Sequence, residues 1–80
     1  METAVKELEA FEEDVNWINK NYDMLKSKYP DQYVAVLGQQ VVGYDSDLEV
    51  LMRRLKENYP IQSRSIAIKY ITTKKVELIL

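Results

Sequence analysis

Tyr33-Val34-Ala35-Val36-Leu37-Gly38-Gln39-Gln40-Val41-Val42-Gly43-Tyr44 is the stretch on which the fold turns. Two arms rich in β-branched and aromatic residues flank the pair Gly38-Gln39. Such residues suit a pleated, half-buried surface, and a two-residue connector with glycine first matches a type II′ hairpin turn. The stretch therefore predicts a β-hairpin.

Upstream the period changes from two to three and four. Leu8, Phe11, Val15, Ile18, Tyr22, Leu25 and Tyr29 mark one face of a single helix from about Thr3 to Lys28. Ala10, Trp17 and Met24 run beside that stripe at seven-residue intervals and widen it. Glu2, Glu7, Glu9, Glu12, Glu13 and Asp14 crowd the first half, and Lys20, Lys26 and Lys28 the second, an order that suits the helix dipole. Tyr29-Pro30 ends the helix, because the residue before proline is driven out of the α region.

Downstream, Asp45-Ser46-Asp47-Leu48-Glu49 begins a second helix, with capping-box spacing between Ser46 and Glu49. Its buried stripe is read as Leu48, Leu51, Met52, Leu55 and Tyr59, and Asn58-Tyr59-Pro60 stops it. Ser65 to Ile71 then reads as a strand, Thr72 to Lys75 as a turn, and Val76 to Leu80 as a final short strand. Residues 25–32 and 55–62 share Leu-Lys, Tyr-Pro and Gln at matching places. Either a helix–strand unit is duplicated, or two helix-to-strand junctions use the same punctuation.

The fold class that follows is α+β: one small domain over residues 1–80, ordered α-β-β-α-β with a further β at the end. The simplest sheet sets the first strand between the second and a third strand parallel to the second. Both helices are expected on one face. The other face, carrying Val34, Val36, Val42, Ala67 and Ile71 or their alternating neighbours, would be open or covered by a partner.

Composition narrows the function. The chain has 80 residues, 46% apolar and 30% charged, which is globular usage. There is neither His nor Cys, which removes the commonest general base and the thiolate nucleophile. No serine sits in a nucleophile motif, and the two glycines do not form a phosphate loop. Glu12, Glu13 and Asp14 read as a solvated helix face. Asp45-x-Asp47-x-Glu49 imitates the opening of a calcium loop, but Val50 and Lys56 stand where its glycine and closing acid belong. The residues thus point away from an enzyme, and no cofactor, metal or small-molecule substrate is implied.

The longest uncharged run, Gln32 to Tyr44, falls short of the roughly 18 residues that span a bilayer. Met1 to Glu7 is too acidic and polar for a signal peptide. With no cysteine, a cytoplasmic location is expected.

Two kinds of partner stay in view. Trp17 and Met24 broaden the first helix beyond what one small sheet need cover, and Val76, Leu78 and Leu80 would form a sheet edge. These five are the protein-interface candidates, with a second copy (a homodimer) or an unidentified protein as the expected partner; ordinary core packing is the alternative reading. Residues 41–80 carry seven bases against five acids. Arg53, Arg54, Lys56, Arg64, Lys74 and Lys75 are accordingly the nucleic-acid candidates. The net charge of −2, the pI near 5.1 and the absence of a recognition motif argue against that partner.

Trp17, Asn21-Tyr22, Lys28-Tyr29-Pro30, Tyr33-Val34-Ala35-Val36, Val41-Val42, Asp47-Leu48 with Leu51, and Val76-Glu77-Leu78-Ile79-Leu80 are together similar to a family of small archaeal and bacterial proteins of unknown function. Family members often have Asp-Gly where this chain has Gly38-Gln39, and Trp at Tyr33. The resemblance implies a stand-alone accessory or interaction domain with no agreed activity and no recognised catalytic residues.

Overall fold

The computed structural model describes residues 2–73, with side chains from Leu8 onward. Its centre is a strand that is apolar on both sides, β1 (Gln32–Leu37), in which Val34, Ala35 and Val36 are all fully buried. A strand buried on both faces needs cover above and below. That requirement shapes everything else.

The expected hairpin is present. β1 pairs antiparallel with β2 (Gln40–Asp45), and on its other side antiparallel with β3 (Ala67–Ile71). The order is β2-β1-β3, so β2 and β3 run parallel on either side of β1, as expected. Gly38 and Gln39 both have φ +60°, so the turn is of type I′ and not the expected II′, which needs a positive φ at its first position alone.

The helices differ more. Instead of one continuous first helix there are two, α1 (Glu2–Lys20) and α2 (Tyr22–Lys28). At the break, Asn21 leaves helical dihedrals at φ −104°, ψ 18°. Its backbone N–H and its side-chain Nδ2 both donate to the Trp17 carbonyl, at 3.0 and 2.9 Å. A side-chain amide sharing a carbonyl of the helical ladder bends the helix at that point.

The helices also occupy opposite faces of the sheet, a correction to the expectation of one. Ile18 and Leu25, from α1 and α2, pack with Val34, Val36, Ala67 and Ile71. Leu51 and Leu55, from α3 (Leu48–Asn58), pack with Ala35 and Ile66 on the other side. The reason lies in β1, whose two alternating sets of side chains are both apolar. Val42 illustrates the register. Ala35 pairs with Gly43 but Val36 pairs with Val41, so Val42 is the extra residue of a β-bulge. The bulge sends Val41 to the α1 layer and Val42 to the α3 layer.

Glycine at position 43 lets α3 settle. A Cβ there would meet Leu51 Cδ1 at 3.0 Å and Leu55 Cδ2 at 3.3 Å. The helix is capped by Asp47, one residue later than expected, whose carboxylate accepts from Glu49 N at 2.9 Å and Val50 N at 3.3 Å. Both Tyr-Pro stops work as the sequence predicts. Tyr29 and Tyr59 take nearly the same dihedrals, and each donates its N–H to the leucine four residues back at 2.7 Å. Beyond the caps the paths diverge. Asp31, at φ 56°, leads straight into β1, whereas Ile61 leads into a single 3₁₀ turn (Ser63–Ser65) before β3. The shared residues thus do the same capping work at two helix ends that lie on opposite faces of the sheet.

Candidate interaction surfaces

The acidic run on α1 divides. Glu12 and Glu13 are exposed, as expected, but Asp14 is 2% exposed. Its Oδ1 accepts the Gln39 N–H at 2.8 Å and its Oδ2 the Gly38 N–H at 3.2 Å. In a type I′ turn these two N–H groups stay within reach of one carboxylate, so Asp14 fastens α1 to the hairpin tip. The signal for it was in the sequence: Asp14 stands four residues before Ile18 and three after Phe11, on the apolar face.

This anchor also fixes how α1 extends. The hairpin tip is the end of the sheet, and every described residue of α1 before Asp14, from Leu8 to Glu13, is exposed. Leu8 is 59% exposed and Phe11 37%, although both continue the stripe that Val15 and Ile18 bury. The apolar face therefore runs past the sheet that covers it.

Of the interface candidates, Trp17 is half-buried against the Ile18–Leu25 cluster, so much of its ring belongs to the chain's own core. Met24 is exposed. Val76, Leu78 and Leu80, with the expected last strand, lie outside the described residues.

The far end of the α1–α2 layer is closed by polar contacts. Tyr22 Oη accepts the Thr72 N–H at 3.0 Å. Lys26 and Lys69 each hold an ammonium 5.7 Å from the Tyr22 ring centre. Asp31 accepts the Thr73 hydroxyl at 3.1 Å and donates its own N–H to the Ile71 carbonyl at 2.9 Å.

The basic candidates are not brought together as one patch. Arg54 is engaged at home, donating Nη2 to Asp45 at 3.0 Å and Nη1 to the Tyr44 carbonyl at 3.3 Å. Arg53 and Lys56 line a shallow depression with Glu49 and Met52 on the outer side of α3. Arg64 belongs to the 3₁₀ turn, which packs beside α1 on the other layer. Lys74 and Lys75 lie outside the described residues. The calcium-like acids likewise have local work: Asp45 Oδ1 accepts the Asp47 N–H at 2.8 Å, and Asp47 caps α3. The hydrogen bond from Asp47, with the charge and hydrogen bond of Arg54, holds the Asp45 carboxyl below its ordinary pKa, against a smaller opposing effect of burial.

The model of a family of unknown function, DUF5678, matches residues 24–72. The chain belongs to the DUF5678 family. The match covers more than half of the chain, from within α2 through β1, β2 and α3 to the end of β3. Of the residues that carried the resemblance, Lys28 to Pro30, Tyr33 to Val36, Val41-Val42, Asp47-Leu48 and Leu51 fall inside it. Trp17, Asn21-Tyr22 and Val76 to Leu80 fall outside, so the likeness to DUF5678 rests on a shorter span than expected. No curated protein and no solved structure matches the chain. None of the described helices is long and apolar enough to cross a membrane.

Proposed function

We propose that this DUF5678 protein is a non-enzymatic, cytoplasmic interaction module that pairs with a second copy of itself through the surface of its first helix. The observation that carries the reading is the exposure of Leu8 and Phe11 in line with a core stripe. Apolar side chains continuing a core past its cover are what an interface requires, and aromatics in such places are common anchors. Small domains also gain stability by associating. The non-enzymatic part rests on the sequence, which has no His and no Cys to act as base or nucleophile.

Nucleic-acid binding has less behind it, because Arg54 is tied to Asp45 and Arg64 lies in the layer opposite Arg53 and Lys56. Multi-angle light scattering over a concentration series tests the proposal. A dimer that Leu8→Ser with Phe11→Ser turns into a folded monomer supports it. A monomer at every concentration overturns it.

A further inference from the structure

Resting on that reading, we infer that the partner surface for the projecting half of α1 is the outer side of α3 in a second copy. Two unassigned features of the molecule are complementary in kind. The first is the segment Leu8–Glu13, where exposed Leu8 and Phe11 are accompanied by Glu9, Glu12 and Glu13. Glu12 lies one turn after Leu8 and next to Phe11, so a carboxylate borders the apolar pair. Among the described residues the one ion pair is Arg54–Asp45, so these three acids have no cation of their own.

The second feature is α3. Met52 is 43% exposed and Leu48 37%, although both were expected in its buried stripe. Arg54 reaches toward β2 from one flank of the helix, and Leu48 and Met52 lie on the opposite flank by helical spacing. Met52 shares its depression with Arg53, Lys56 and Glu49, two cations against one acid, and none of the three forms an ion pair among the described residues. An apolar strip beside a depression of net positive charge thus faces an amphipathic helix of net negative charge whose apolar pair is edged by Glu12. Helix-in-groove docking has this form, with the charges setting orientation and partner choice.

One chain cannot make the contact with itself. α1 and α3 pack on opposite faces of the sheet, and Asp14 holds α1 at the hairpin tip. A second copy can offer its α1 to this α3 while receiving the first copy's α1 on its own. The pairing is then self-complementary, as a two-fold dimer requires.

The test is charge reversal and its rescue, read by sedimentation equilibrium at low salt. Arg53→Glu with Lys56→Glu weakens the dimer about tenfold or more, and so does Glu12→Lys with Glu13→Lys. Mixing the two variants restores a dimer of wild-type strength. All four positions are exposed, so far-UV circular dichroism of each variant stays that of the wild type. Raising the salt to molar levels also weakens the wild-type dimer. A wild-type dimer indifferent to both reversals overturns this pairing while leaving self-association through another surface standing. A wild-type chain that never dimerises overturns both.

Discussion

The carboxylate of Asp14 receives the backbone N–H of Gln39 at 2.8 Å across 25 residues of sequence. With the second bond, from Gly38, one side chain holds a helix to the tip of a hairpin. Because the side chain is buried and accepts two backbone N–H groups, its removal leaves both donors without their partner. Asp14→Ala is expected to cost about 2 kcal/mol of folding stability, and Asp14→Asn, which keeps one acceptor, about 1 kcal/mol. Urea unfolding of the three proteins measures both. A loss within error of zero for Asp14→Ala would mean that the bond adds nothing.

Gln39 occupies the left-handed region, which glycine enters freely and other L residues enter at a cost of roughly 1–2 kcal/mol. Gln39→Gly removes that cost but adds chain entropy to the unfolded state, roughly 0.5–1 kcal/mol. The expected net effect is a gain of about 0.5 kcal/mol, seen as a higher urea midpoint at unchanged slope.

The opposite outcome is expected at Gly43. An added methyl group would press on Leu51 Cδ1 at 3.0 Å, and Leu51 is fully buried with nowhere to retreat. Gly43→Ala should destabilise by roughly 1–3 kcal/mol. Gly43→Ala combined with Leu51→Val, which withdraws the crowded methyl, should cost less than the sum of the two single changes. Thermal unfolding of the set decides this.

Asp45 gives stability a dependence on acid. Its pKa is lower in the folded chain than its ordinary value, through Asp47 N–H and Arg54. Its contribution is therefore complete above the ordinary carboxylate range and disappears as pH falls through the lowered value. Asp45→Asn should be less stable than wild type at neutral pH, and the two proteins should converge in strong acid. A constant difference across pH 2 to 7 would contradict the assignment.

Much of this architecture was legible in single residues. The hairpin followed from the arms around Gly38-Gln39, the helix ends from two Tyr-Pro pairs, and the strand order from the simplest connection. The turn type was not legible, because Gln39 is held at positive φ by a carboxylate 25 residues away. Nor was the break at Asn21, where one amide competes with the helix ladder. The placement of the helices was misjudged although the sign was present: Val34 and Val36 alternate with Ala35 and Leu37, all apolar, and such a strand is covered twice. The surfaces were harder still. Periodicity assigns Leu8, Phe11, Leu48 and Met52 to apolar stripes, but only three dimensions reveal where the sheet beneath a stripe ends.

The bulge at Val42 has a consequence for behaviour at high concentration. A straight edge strand is a template on which further chains can stack. β2 is not straight, since its register shifts at Val42, and Arg54 already occupies the carbonyl of Tyr44. A newcomer laid along β2 would lose its ladder halfway. Fibril growth from that side of the folded molecule is therefore blocked by geometry, which leaves the molecule free to expose apolar helix surface without also offering a second strand there.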